Sequence, residues 1–118
     1  MTIMFGIKQC DTVKKAKKWL DINDIPFQFH DLREDGIDQG LLNEWLGTTS
    51  IDELVNRRST TWRTLSENDK KQLATGDAIH ILLDNPTLIK RPVIIHNNKM
   101  MIGFKENDYQ TFFTINVT

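Results

Sequence analysis

The chain has 118 residues, with 15 Lys and Arg against 16 Asp and Glu and a formal net charge of −1. That length supports one domain with one core, in which folding buries roughly two-thirds of the unfolded chain's surface. A balanced, mixed charge argues against a nucleic-acid binder, which would carry a basic excess or a basic face, and no apolar run approaches the ~20 residues of a membrane span.

The elements follow in order. Ile3, Met4 and Phe5 read as a short buried strand, ended by Gly6. Asp11 or Thr12 is expected to cap the next helix, where Val13, Ala16, Trp19 and Leu20 recur at helical spacing and Lys14, Lys15, Lys17 and Lys18 cover the rest. Asn23-Asp24 stops it, and Pro26 introduces a second strand, Phe27 to His30. Strand, helix and strand within so short a span form a βαβ unit with parallel strands. A helix opened by Asp38 or by Asp35-Gly36 follows, with Leu41, Leu42, Trp45 and Leu46 on its apolar side. Ser50 with Glu53 reads as a capping box for Ile51 to Val55. Asn56 to Thr61 reads as a polar loop. Ser66 caps Glu67 to Ala74, Gly76 ends that helix, and Asp77 to Asp84 forms another. After the turn at Asn85-Pro86 comes a β-branched strand, Val93 to His96. Asn97-Asn98 is a tight hairpin turn, because asparagine tolerates positive φ. Met100 to Ile102 pairs back, and a helix from Glu106 to Phe113 closes the chain.

This order predicts an α/β thioredoxin-like fold: a mixed four-stranded sheet, with a helical insertion at about residues 36–85 between the βαβ and ββα halves. One domain is expected over 1–118, as a monomer. The single cysteine excludes an intramolecular disulfide. Met1-Thr2-Ile3-Met4-Phe5 is no secretory h-region, so a reducing cytoplasm is the expected compartment.

Cys10 is the residue with chemistry to offer. It lies between a strand and a helix, where the helix dipole and unpaired backbone N–H groups favour thiolate over thiol, and thiolate is the nucleophile. Lys8 and the lysines of the first turns add positive potential, while Asp11 opposes them. The competing reading is a buried, inert cysteine; the polar flanks argue against it. Three residues on stands Val13, so a C-x-x-C mechanism is excluded. A thiol that turns over alone must be released by an outside thiol, for which glutathione is the abundant candidate.

Lys90-Arg91-Pro92 is the second site. In a thioredoxin-like order the pair entering the third strand faces the thiol across the end of the sheet. Arg91 could pair with a carboxylate or oxyanion there, and a cis bond at Pro92 would present backbone groups to a peptide-like substrate. The alternative is a surface arginine beside an ordinary trans proline. Arg57 and Arg58, in a polar loop, could close over an anion or simply be solvated. His30, His80 and His96 show no metal-ligand spacing, so no metal is expected. Trp19, Trp45 and Trp62 read as core or core-edge residues.

The stretches Gly6 to Ala16, Leu54 to Arg58 with Trp62, Ile89 to Val93 and Ile102-Gly103-Phe104 together resemble the ArsC/Spx superfamily, in particular its YffB-type branch of arsenate reductase-like proteins. The resemblance covers nearly the whole chain. It implies a thioredoxin-like fold with a helical insertion and a catalytic cysteine at Cys10. The family's arsenate reductases hold their oxyanion with three arginines. One matches Arg91 beside Pro92, a second matches Arg57 or Arg58, and the third would fall at Ile102-Gly103-Phe104, where this sequence has none.

The resemblance implies a glutathione-dependent thiol or disulfide reductase, with no bound cofactor and glutathione as co-substrate. Lys8, Arg57, Arg58, Arg91 and Pro92 would bind the substrate, itself a thiol, a disulfide or an oxyanion. The rivals are an arsenate reductase coupled to glutathione and glutaredoxin, and a non-catalytic Spx-like module that binds RNA polymerase or another protein.

Overall fold

The sheet is built around the first strand, β1 (Thr2–Gly6), in a computed structural model that describes residues 1–75 and 78–115. β2 (Gln28–Asp31) runs parallel to β1, and β3 (Val93–His96) runs antiparallel on its other side. β4 (Lys99–Ile102) hairpins back onto β3, giving the order β2-β1-β3-β4. The parallel pair is joined by α1 (Asp11–Ile22), and α7 (Glu106–Ile115) follows β4. This mixed four-stranded sheet with flanking helices is the thioredoxin-like arrangement expected from the element order.

The register explains the core. Phe29, Met4, Ile94 and Met101 are paired in a row across the four strands, so they share one face. Met4 and Ile94, in the middle of the row, are fully buried against Val13, Ala16 and Leu20 of α1 and Tyr109 and Phe113 of α7. Each such aliphatic side chain contributes about 1.5–3 kcal/mol when taken out of water. Gly6 ends β1 for a steric reason. A Cβ there would lie 2.7 Å from Val13 Cγ2, so only glycine lets the first turn of α1 approach the strand so closely. In the hairpin Asn97 and Asn98 have φ of 50° and 65°, the paired positive values of a two-residue turn.

The chain divides into two compact units, residues 1–35 with 91–118 and residues 36–90. The second contains α2 (Gln39–Leu46), α3 (Ile51–Leu54), α4 (Thr60–Thr64), α5 (Glu67–Thr75), α6 (Ile79–Asp84) and a 3-10 turn at Pro86–Leu88. Within it Val55 bridges Ile89, the Asn56 N–H donates to the Leu88 carbonyl at 2.7 Å, and the Lys90 N–H donates to the Leu54 carbonyl at 2.8 Å.

Several local expectations need correction. β2 is shifted one residue toward the C-terminus, because Asp31 still pairs with Gly6. Asn56 to Thr61 is not all loop: Ser59 accepts from the Trp62 N–H at 3.1 Å and starts α4, a helix too short for periodicity to reveal. The capping box at α3 is half formed. Ser50 accepts from the Glu53 N–H, but the Glu53 carboxylate takes the Thr49 hydroxyl instead of reaching back to Ser50. Asp38, not Asp35-Gly36, caps α2, accepting from the Leu41 N–H at 2.8 Å. The expected stop at Gly76 and start at Asp77 lie outside the described residues.

Candidate active site around Cys10

The loop that carries the thiol is a tight turn. From Gly6 the chain passes through buried Ile7, and the Cys10 N–H donates to the Ile7 carbonyl at 3.1 Å. Cys10 has extended backbone, φ −79° and ψ 123°, while its carbonyl accepts from Lys14, the first bond of α1. Cys10 is therefore itself the N-cap, and the expected cap at Asp11 or Thr12 moves back to the thiol. The turn after Ile7 decides this, because it delivers Cys10 in extended geometry and leaves Asp11 as the first helical residue. An acidic side chain in that first turn complements the dipole.

Cys10 is partly buried against the core cluster. Burial, the largest single influence on the thiol, pushes its pKa up. It is outweighed by the Val13 amide, by the hydrogen bond and the charge of Arg91, and by the Thr12 amide, so the thiol is held below its ordinary value. The sulfur makes no cap hydrogen bond of full strength to the first turn. The amides act on it as partial charges at the helix end, and Arg91 supplies a whole one.

Arg91 reaches this position from the loop that enters β3. Its peptide bond to Pro92 is cis, and Pro92 is buried. The Pro92 carbonyl accepts from the Gly103 N–H at 2.8 Å, and the Gly103 carbonyl accepts from the Tyr109 hydroxyl at 2.7 Å. Gly103 has φ of +85°, a backbone that non-glycine residues rarely adopt. Tyr109 is fully buried with its ring edge-on to Trp19 and Phe104, and burial pushes its pKa far up. The segment after β4, where the sequence has no arginine, thus anchors the Arg91-Pro92 loop from behind.

Lys8 lies in the thiol loop, with its ammonium on Glu34 at 2.6 Å, both side chains about half exposed. The hydrogen bond to Glu34 and that carboxylate's charge raise the Lys8 pKa. Its ammonium is engaged by the Glu34 carboxylate.

Arg57 and Arg58 belong to the second unit. Arg57 binds Asp52 at 2.7 Å and lies over the Trp62 ring, which Lys70 also approaches. Arg58 is exposed, its N–H capped by the Asn56 side chain. Among the described residues, no His, Cys, Asp and Glu group is placed to hold a metal ion, and no helix is long and apolar enough to cross a membrane.

Sequence reasoning missed Asp31. It is 2% exposed, and its carboxylate takes three backbone N–H groups: Lys8 on Oδ2, Arg33 and Glu34 on Oδ1. Burial works against its ionisation most strongly, but the Glu34, Arg33 and Lys8 amides and the Lys8 charge prevail and hold it below the ordinary carboxylate range. Asp31-x-x-Glu34 carries the local signal of an aspartate folding back on following amides. The bond to Lys8 is long-range and has no sequence signal.

A mixed four-stranded sheet with flanking helices, and the single cysteine at the start of the first helix, define a thioredoxin-like fold. The chain belongs to the ArsC family, whose pattern matches residues 5–112. A Haemophilus influenzae protein described as uncharacterized is 49% identical over 113 residues, spanning 96% of this chain and 99% of its own. The global transcriptional regulator Spx of Staphylococcus aureus is 30% identical over 95% of this chain and 86% of its own length. Among solved structures, a protein named YFFB superposes with a TM-score of 0.88 at 38% identity, over 94% of this chain and 97% of that one. An arsenate reductase (ArsC) related protein from Brucella melitensis superposes at 0.77, also 38% identical, over 95% and 93%.

Proposed function

We propose that the chain is a glutathione-dependent thiol or disulfide reductase with Cys10 as its nucleophile. The observation that carries this reading is the arginine at the thiol: Arg91 and the first-turn amides of α1 hold the Cys10 pKa down against burial. In the proposed cycle the Cys10 thiolate attacks a mixed disulfide between glutathione and a substrate thiol. An S–S bond to Cys10 forms as the old one breaks, and the substrate leaves as thiolate. A glutathione thiolate then attacks the glutathione sulfur on Cys10, giving oxidised glutathione and free Cys10 thiolate. In the net exchange one glutathione thiolate enters and one substrate thiolate leaves: the incoming glutathione sulfur is oxidised, the substrate sulfur is reduced, and the glutathione sulfur carried over on Cys10 stays at the disulfide level.

The outside thiol is required because Val13 occupies the position a resolving cysteine would take, and Val13 is fully buried in the core. Arg91 is the proposed partner for a glutathione carboxylate. Lys8, in the same compact unit as Cys10 and Arg91, is a further candidate. Engaging Lys8 means displacing Glu34, an exposed partner whose attraction solvent screens.

The test is turnover of a glutathione mixed disulfide by wild type and Cys10→Ser. Equal rates would refute the reading. Arsenate reduction is the nearer rival, favoured by the name of the Brucella relative. It stands on a smaller donor set, because the segment at Gly103 offers no guanidinium. It predicts arsenite from arsenate with glutathione and glutaredoxin. An interaction module like the Spx regulators is favoured by their identity to this chain. It predicts RNA polymerase binding that survives Cys10→Ser.

A further inference from the structure

We propose that Asp31 is a positioning residue for Cys10: its carboxylate clamps the thiol loop through the Lys8 N–H and so keeps the sulfur at the α1 N-terminus beside Arg91. The turn that presents Cys10 runs from Ile7 to Cys10 and is closed by one backbone bond, Cys10 N–H to Ile7 carbonyl. Lys8, inside that turn, has its N–H on Asp31 Oδ2 at 3.1 Å. The other oxygen, Oδ1, accepts from Arg33 at 2.8 Å and Glu34 at 3.0 Å, which fixes the carboxylate to the end of β2. Asp31's own N–H donates to the Asp35 carboxylate at 2.9 Å, and the Leu32 N–H donates to the Gly6 carbonyl at 2.8 Å. The carboxylate is thus immobile on the β2 side and reaches across to the loop with its free oxygen. A buried carboxylate is costly unless its lone pairs are filled, and here backbone amides fill them.

The division of labour between the two oxygens gives an isosteric probe. In Asp31→Asn the amide oxygen keeps the Arg33 and Glu34 bonds, because the flipped orientation would forfeit two bonds to save one. The amide nitrogen then faces the Lys8 N–H, donor against donor, and only the clamp on the thiol loop is lost. Charge and position now predict opposite signs. Removing a negative charge from the neighbourhood of a thiol makes its ionisation easier. Releasing the loop moves the sulfur away from the amides and from Arg91, and makes ionisation harder. The charged groups around the clamp are Lys8, Glu34, Arg33 and Asp35, with Arg91 at the sulfur, and none of them is altered by the substitution.

The inference rests on Cys10 being an activated thiol but not on any substrate, so it is read without turnover. The experiment is the pH dependence of Cys10 alkylation by iodoacetamide in wild type and Asp31→Asn. Expected is an upward shift of the midpoint in the variant and a neutral-pH rate about threefold lower. An unchanged or lowered midpoint overturns the proposal. A measurement on the wild type alone guards against a variant that does not fold. The amide proton shifts of Lys8, Arg33 and Glu34 are followed through acid titration, and all three should move together with a midpoint below that of an ordinary aspartate. A Lys8 amide that stays still while the other two titrate overturns the clamp. Failure here with intact turnover would leave the reductase reading standing, and loss of turnover in Cys10→Ser would not rescue the clamp.

Discussion

Replacing Arg91 by alanine removes one hydrogen bond and one full charge from the Cys10 sulfur while leaving the Val13 and Thr12 amides in place. Two unit charges about 4 Å apart interact by about 1 kcal/mol in bulk water and about 4 kcal/mol near a protein surface. Cys10 and Arg91 are both partly exposed, so the lower part of that range applies, near 1 kcal/mol. That free energy changes the thiolate population about fivefold at any pH below both midpoints. The observed rate should fall less. A thiolate of higher pKa is intrinsically more nucleophilic, with a Brønsted slope of about 0.4–0.5, which returns about twofold. Alkylation of Arg91→Ala near neutral pH should therefore be slower by about two- to threefold, with the midpoint moved up. At high pH, where both proteins are fully ionised, the variant should react faster than wild type, so the two profiles cross. Iodoacetamide alkylation followed by mass spectrometry from pH 5 to 10 measures this. Parallel profiles with no shift, or a midpoint moved down, would refute the assignment of Arg91 as the thiolate's counter-charge.

Gly6→Ala should destabilise the fold by about 1–3 kcal/mol in urea unfolding, since the new methyl meets Val13 Cγ2 at 2.7 Å; combined with Val13→Ala, the double variant should lose less than the sum of the two singles. Tyr109→Phe removes the hydroxyl donor from the partly buried Gly103 carbonyl and should cost about 0.5–1.5 kcal/mol, read in the same assay. Asp31 links stability to pH. Its folded pKa lies below its unfolded one, so its contribution is complete above the ordinary aspartate value of about 3.9 and fades as pH falls through the folded value. Acid unfolding of Asp31→Asn, followed by circular dichroism, should show a shallower loss of stability below about pH 4 than wild type; equal slopes would count against the shift.

The residues that could be read in one dimension were those whose meaning is local. Cys10 before an amphipathic helix, the apolar spacing of Val13, Ala16 and Leu20, Asn97-Asn98 in the hairpin and the β-branched run of Val93 to Ile95 each carry their structure in a few neighbours, because helix period, strand pleat and turn φ are local properties. Their order was enough for the thioredoxin-like sheet, since parallel pairing of β1 and β2 follows from the helix between them. The count of one cysteine, with Val13 where a second would stand, by itself excludes a disulfide within the chain.

What the sequence could not decide depends on contacts between distant segments. Whether Cys10 or Asp11 caps α1 was set by the turn closed at Ile7. Which group engages the Lys8 ammonium was set by the approach of Glu34, 26 residues away. Arg91 beside the thiol could be anticipated from topology, but its anchoring through Pro92, Gly103 and Tyr109 is a chain of hydrogen bonds with no local pattern. Asp31 shows the limit most clearly: an ordinary aspartate after a strand becomes a buried carboxylate only because β1 and β2 lie side by side and bring the Lys8 amide within 3.1 Å of it. Cys10 is placed at a helix start by its neighbours in sequence, and the Val13 and Thr12 amides that lower its pKa are local too; the Arg91 charge beside it comes from a segment that only the folded chain brings near.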